Sequence, residues 1–517
     1  MPVCFGLNNF IDRHRRSVIA LLCLIAAVRV FLSAAAIPFF NTVDELYHFD
    51  VVSKYAAGEP PQGVGALSAE AIGYISLYNT GAHYKDEAPD SALPPVWDYP
   101  PDVRRLVVEK RAEDLRTYGN WENTQAPLYY AIAGVWLRAG RLAGLEGGFL
   151  LYWLKFLNVP IVVLMVLTAH FFMRRFYPGD RLRVFGVPML VAVIPQDVFY
   201  SISNDVLTPL CMAWAFYGLM SIWLDARAEL ARSLCTGLAI AASLLTKYSN
   251  VTILAVGAVV MPLALWRMRR EGTLAQNIRS LSVCVALAVL PVTAWLIRSM
   301  TAISNTDGLY RLVGWSVKPF DAMWNHPIFT AKGLGLFLTN MTTSFWRGEI
   351  CWHGVTMHSD VMDVVFVATT VLFLATAAIW LVVDRGAPGR ERCIDAAGFF
   401  FIGVSLLFWA FISIRYDWGR ILIYPSPDYP YVSSGRLIGG ILIPFLALYV
   451  AGLGRILSFL RFRTGALAVV AVLAVMIAIG DGILTANVAG SRANFFHMLG
   501  RSNAALAPSE AIGNPGN

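Results

Sequence analysis

Charged residues are scarce in this chain: Asp, Glu, Lys and Arg make up 15% of its 517 residues, where a soluble domain carries about 25%. With 57% hydrophobic residues and a mean hydropathy of +0.58, that deficit excludes an ordinary soluble globule. Cysteine is thin as well. The seven (Cys4, Cys23, Cys211, Cys235, Cys284, Cys351 and Cys393) stand singly, mostly in apolar stretches and without a CxxC pair, so neither a disulfide framework nor a zinc site is expected. No Gly-rich phosphate loop or dinucleotide fingerprint follows a strand pattern, so no nucleotide-sugar domain and no nucleotide cofactor is expected. The net charge is +7, but its basic residues are spread over short loops. That pattern orients membrane helices and does not form a nucleic-acid footprint, so no nucleic-acid partner is expected.

What the chain has in abundance is apolar runs of roughly 20 residues, the length needed to cross a bilayer. The first covers about 18–40 and follows Arg13, Arg15 and Arg16. Ser33-Ala-Ala-Ala36 imitates a signal-peptidase site, but the apolar run exceeds the roughly 7 to 15 residues of a signal peptide. It reads as an uncleaved first helix entering from the cytoplasm. Further spans are predicted near 150–172, 184–201, 205–223, 232–248, 251–266, 281–298, 361–383, 395–414, 436–455 and 465–486, about eleven in all. The inside loops then hold Arg174, Arg175, Arg181 and Arg183, then Arg227 and Arg232, Arg267 to Arg270 with Arg279, Arg385 with Arg390 and Arg392, and Arg455 with Arg461 and Arg463. Every one is basic, as the positive-inside rule requires. Counting Pro127–Leu137 as a span would invert all of them, so it reads as a juxtamembrane helix. The fold class is all-α polytopic membrane protein, one domain over 1–486 with a polar tail over 487–517.

Three outside segments are large: 41–148, 299–360 and 415–435. Two short outside turns accompany them, Ser203-Asn204-Asp205 and Lys247-Tyr248-Ser249-Asn250. Within the first segment Val103–Leu115 has the pattern of a helix lying in the interface, and the pairs Pro60-Pro61, Pro94-Pro95 and Pro100-Pro101 divide the segment into short elements. Nearly all polar residues near the membrane fall at outside helix ends. Asp44, Glu45, Tyr47 and His48 follow the first span directly, and such groups are costly there unless they serve function. Arg29 is the main exception, inside a span. A transporter or flippase for a lipid-linked or anionic substrate would need a polar path at mid-depth. A scaffold in envelope assembly would need no carboxylate at all. Both stay open as alternatives.

Asp44-Glu-Leu-Tyr-His-Phe49 after the first helix, then Gln125-Ala-Pro-Leu-Tyr-Tyr130, Ser203-Asn-Asp205, Thr246-Lys-Tyr-Ser-Asn250 and Gly435-Arg-Leu437, resemble in their order the GT-C superfamily of integral-membrane glycosyltransferases, and most closely its DUF2142 group of bacterial membrane proteins. Many relatives carry His-Pro-Pro-Leu where this chain has Gln125-Ala-Pro-Leu128. The resemblance implies a GT-C-like bundle in the bacterial plasma membrane with a large first loop, an active site facing the periplasm or exterior, and an essential carboxylate in that loop. It also implies a polyprenyl-phosphate-linked sugar donor and a glycan, lipid or protein acceptor.

That chemistry needs a base for the acceptor hydroxyl and a counter-charge for the departing phosphate. Asp44 is the candidate base, since a carboxylate at a low-dielectric boundary is tuned towards base strength. Glu45 is a candidate to position the acceptor, or to hold a divalent cation (Mg or Mn) together with Asp44 and His48. An alternative for Glu45 is a capping box with Thr42 as N-cap. Arg436 offers phosphate a planar fork and Lys247 a point charge. His48, Gln125, Asp205, Arg415 and Arg420 complete the candidate substrate-binding set, with Asp205 also placed to cap the helix after Asn204 and Arg415 or Arg420 to pair with Asp417. Gln196 and Asp197 are expected to satisfy backbone freed by Pro195. Trp346, Glu349, Trp352 and His353 have the make-up of a sugar platform or of an interfacial belt.

Overall fold

The computed structural model describes residues 13–80, 94–303, 316–383, 389–418, 425–462 and 465–499, and the chain over these residues is mostly helical, with three short two-stranded sheets. In order the helices are α1 Arg15–Ala36, α2 Glu45–Ala57, α3 Ala69–Tyr78, α4 Pro101–Leu115, α5 Leu128–Leu142, α6 Gly147–Lys155, α7 Asn158–Phe176, α8 Arg181–Val193, α9 Thr208–Asp225, α10 Leu230–Thr246, α11 Thr252–Arg270 and α12 Leu274–Ile303. Then follow α13 Ala331–Arg347, α14 Asp360–Val383, α15 Gly389–Arg415, α16 Leu442–Phe459, α17 Ala466–Ala489 and the short α18 Phe495–Met498. Nine helical stretches among the described residues are long and apolar enough to cross a membrane. The other two predicted spans correspond to α8, of 13 residues, and α10, of 17.

Burial sorts these helices into a centre and a rim. The stretch ending in α16 is 83% buried over its most apolar window, whereas that of α12 is only 11% buried. Apolar side chains on α12 such as Leu290 and Ile297 stay exposed in the isolated chain, which suits a face against lipid. Helix α8 stops at Val193 because Pro195, two residues on, cannot donate to a further turn. The chain then runs irregularly, with short 3-10 turns at 197–199 and 204–207, before α9 begins.

Irregular backbone at membrane depth must find its partners in protein, and asparagines supply them. Asn158 Nδ2 donates to Ser201 O at 2.7 Å, Asn204 Nδ2 to Thr246 O at 3.2 Å and Asn250 Nδ2 to Ser243 O at 2.8 Å. The breaks before α9 and α11, and the 3-10 turn Gly435–Ile441 before α16, all sit at one end of the bundle.

Helices α2 to α5 pack as a cap on that end. Its centre is Asp50, fully buried, whose carboxylate accepts from Lys54 Nζ at 2.5 Å and Asn120 Nδ2 at 2.7 Å on one oxygen, and Ser68 N at 2.7 Å on the other. Strands β1 (Gly65–Ala66) and β2 (Gly119–Asn120) pair antiparallel, Gly65 opposite Asn120. Helix α5 is locked to α6 by stacked Trp136 and Trp153, each indole N–H donating to the other's carbonyl, at 2.7 and 2.8 Å.

The expected interface helix appears as α4, and the expected juxtamembrane helix as α5, which is 15 residues long. Helix α17 continues to Ala489, and Phe495 packs on Tyr152 and Phe156. Residues 500–517 lie outside the described residues. Among the described residues six cysteines, from Cys23 to Cys393, are free.

Candidate active site

Asp44 stands in the link between α1 and α2 with φ 62° and ψ 3°. Few residue types tolerate this left-handed backbone, and Asp is one of them. The turn lets the Asp44 carbonyl accept the N–H groups of Tyr47 at 2.9 Å and His48 at 3.0 Å. Its carboxylate makes no capping bond to the helix and points instead to Arg436, with Nη2 to Oδ2 at 3.4 Å.

The expected capping box is absent. Glu45 is the first residue of α2 and not the third, and Thr42 Oγ1 donates to its carboxylate at 3.3 Å instead of accepting a backbone N–H. Glu45 is fully buried, accepting from Ile202 N at 3.0 Å and facing Lys155 Nζ at 3.8 Å. It is a strut between the first loop, the break before α9 and α6. Its carboxylate thus faces Lys155 and Ile202 N rather than Arg436.

Arg436 is placed by the glycine before it. A Cβ on Gly435 would lie 1.9 Å from Phe345 N, so only glycine lets the strand-like entry press against α13. Gly435 N donates to Ser344 Oγ at 2.7 Å, and the Ser434 hydroxyl donates to Glu349. The Arg436 guanidinium then bridges two carboxylates, Asp44 and Asp205, the latter at 3.7 Å. Asp205 is held from its other side by Lys247. Four segments far apart in sequence thus build one row of alternating charge: Asp44, Arg436, Asp205, Lys247. Its two carboxylates differ in access, the Asp44 side chain being 22% exposed and that of Asp205 only 2%. Arg436 Nε and Asp205 Oδ2 are buried without a hydrogen-bond partner among the described residues.

Behind this row lie three buried groups that share contacts. His48 Nδ1 is 2.8 Å from the Tyr130 hydroxyl and 3.5 Å from Glu122 Oε2, and Tyr130 donates to Glu122 at 3.4 Å. Burial pushes the His48 pKa down to about 4. Burial first, and then the Asp44 carboxylate, pushes Glu122 up to about 8. At neutral pH both are therefore largely uncharged and add little charge behind the row. Asn120 fixes Glu122 by accepting its N–H at 2.8 Å.

Of the residues expected at the site, Asp44, Asp205, Lys247 and Arg436 meet, with His48 directly behind. Asp205 does not cap its turn, because Ser203 does, accepting Asp205 N at 3.2 Å. Gln125 closes the turn Trp121–Thr124, its N–H donating to Glu122 O at 3.0 Å, and its side chain is not part of the charged row. Arg415 belongs elsewhere. Its guanidinium donates to Lys318 O, and Asp417 pairs with Lys318 at 3.3 Å rather than with Arg415. Arg420 lies outside the described residues.

The expected cation set does not converge. Asp44 faces Arg436, Glu45 faces Lys155 and His48 faces Tyr130, and among the described residues no group of three or more His, Cys, Asp or Glu is arranged to hold a metal. Trp346 is no sugar platform. It is fully buried, stacked on Phe366 and donating to Thr370 Oγ1 at 2.9 Å. Gln196 does satisfy backbone, but that of α13: its Nε2 donates to Ser344 O at 2.9 Å and to Phe345 O. Glu122 and the Lys155 strut carry no sequence signal beyond being ionisable residues near apolar runs.

The sequence of residues 28–424 matches the family described as DUF2142, predicted membrane protein. A search of curated proteins gives no match. Among solved structures, ArnT from Cupriavidus metallidurans bound to undecaprenyl phosphate aligns with 96% of this chain and 77% of its own, at 12% identity and a TM-score of 0.45. ArnT from the same organism in the apo state aligns over the same shares, at 11% identity and a TM-score of 0.44.

Proposed function

The chain belongs to the DUF2142 family of membrane proteins, and from that footing we propose that it is a membrane glycosyltransferase of the GT-C type. It moves a sugar from a polyprenyl-phosphate donor to a cell-envelope acceptor, at the extracytoplasmic face of the plasma membrane. The observation that carries this reading is the row Asp44–Arg436–Asp205–Lys247 at one end of the bundle. It puts an accessible carboxylate beside two cations at helix ends, where a lipid-borne phosphate would arrive.

The step balances on these residues. The acceptor hydroxyl oxygen bonds to the anomeric carbon while the bond from that carbon to the phosphate oxygen breaks. Asp44 takes the hydroxyl proton, and the polyprenyl phosphate leaves with its added charge. Arg436, whose Nε has no partner among the described residues, and Lys247 offset that charge where it develops. Asp205 holds both cations in place and stays buried. Largely neutral His48 and Glu122 add little charge of their own to the site.

The reading is tested by equilibrium binding of radiolabelled polyprenyl phosphate to the purified chain. Arg436→Gln is expected to weaken binding by roughly tenfold to a hundredfold, the value of one charge-assisted hydrogen-bond pair. Unchanged binding would remove Arg436 from the phosphate site.

A further inference from the structure

The end of the bundle opposite the candidate site carries a second charge constellation. Helix α9 links the two: Asp205 lies just before its first residue, and Asp225 is its last. Eighteen residues at about 1.5 Å each span some 27 Å, close to the thickness of a bilayer core. Asp225 is met there by three arginines from three different segments. Arg175 Nη2 at 3.0 Å and Arg232 Nη1 at 2.6 Å share its Oδ2, and Arg390 Nη1 takes Oδ1 at 2.9 Å.

Against these three guanidinium groups stand Asp225 and, on Arg232 alone, the exposed Glu229 at 3.7 Å, so the cluster keeps one positive charge in excess. Arg175 and Arg390 keep 36% and 40% of their side-chain surface open. Both lie near the ring of Phe176, at 5.8 and 5.5 Å, which fixes their planes. One turn deeper along the same segment Phe171 is exposed, and so is Val382 on α14, as expected of side chains that meet hydrocarbon. The open guanidinium edges therefore lie at headgroup depth.

We propose that Arg175, Arg232 and Arg390, organised by Asp225, form a binding site for the phosphodiester of one anionic phospholipid. Each guanidinium spends only part of its donor fork on Asp225, and the remaining N–H groups match phosphate oxygens. Asp225 holds three like charges together in the absence of lipid and sets the spacing of the donors. The surrounding apolar side chains take the acyl chains, which a free phosphate lacks. The site stands whether or not the opposite end transfers sugar.

The test uses the full chain, purified in detergent, with lipid retention read by native mass spectrometry. Phosphatidylglycerol is titrated against phosphatidylcholine, with inorganic phosphate and glycerol phosphate as water-soluble arms. Wild type is expected to retain phosphatidylglycerol in preference to phosphatidylcholine. Arg175→Gln with Arg390→Gln is expected to weaken that retention roughly tenfold or more. Arg15→Gln with Arg16→Gln, an equal loss of charge at the same end, is expected to leave it unchanged. Arg175→Lys with Arg390→Lys keeps the charge and the fold, and is expected to weaken retention several-fold because the fork is lost. Equal weakening by the two Gln pairs would reduce the site to diffuse surface charge. Full retention by the Lys pair, or equal binding of glycerol phosphate, would overturn the headgroup assignment.

Discussion

Lys155 Nζ lies 3.8 Å from Glu45 Oε1, and both side chains are wholly buried. Lys155 also donates to Ile37 O at 2.9 Å, at the point where α1 ends. The pair thus ties α6 to both flanks of the turn that presents Asp44. Removing one partner strands a buried charge, which costs about 3 to 5 kcal/mol, whereas replacing both is far milder. Lys155→Met is expected to lower the thermal unfolding midpoint strongly, and Lys155→Met with Glu45→Gln to recover much of it. Scanning fluorimetry in detergent checks this.

The left-handed backbone at Asp44 separates its carboxylate from its conformation. A β-branched residue in that geometry costs about 1 to 2 kcal/mol, while Gly adopts it freely. Asp44→Gly is expected to unfold near the wild-type temperature and Asp44→Val clearly below it. Both are expected to be inactive. Unfolding curves beside a transfer assay distinguish the two effects.

Gly435 has no room for a side chain. Alanine there would drive a methyl group into the backbone of Phe345, and the shift would carry Arg436 away from Asp44. Gly435→Ala is expected to cost about 1 to 3 kcal/mol and to weaken donor binding about as much as Arg436→Gln. Binding of labelled polyprenyl phosphate to folded variant measures it.

Stability should depend on pH through His48 and Glu122, with opposite signs. His48 has a folded pKa lowered to about 4, so below its unfolded value of about 6.5 the unfolded chain binds the extra proton. Stability therefore falls as pH drops from 6.5 towards 4. Glu122 has a folded pKa raised to about 8, so between about 4.5 and 8 the folded chain holds the extra proton. Stability falls as pH rises through that window. His48→Gln is expected to flatten the acid side of the midpoint-against-pH curve, and Glu122→Gln the alkaline side.

The helices were legible because hydrophobic runs and loop charge act locally and leave their mark in composition. The breaks at Asn204, Lys247 and Gly435 were legible too, since each interrupts an apolar run with polar residues. What lay hidden was pairing. Nothing near Asp44 in the sequence reveals that Arg436 meets it 392 positions later. The spacing of Thr42 and Glu45 suggested a capping box, but the left-handed turn at Asp44 delayed the helix start and sent Glu45 to Lys155. Trp346 read as a surface aromatic because its neighbours Arg347 and Glu349 are charged. Those neighbours are consumed elsewhere, Arg347 by Asp363 at 2.9 Å and Glu349 by Ser434, and the indole turns inward.

The central claim is that Asp44 performs proton abstraction in transfer from a lipid-phosphate sugar. The direct measurement is product formation from a panel of radiolabelled polyprenyl-phosphate sugars, with membrane lipid and glycan extracts as acceptors, for wild type and Asp44→Asn. Product from wild type alone, with the variant folded and still binding donor, is the predicted result. Equal product from both proteins would contradict it.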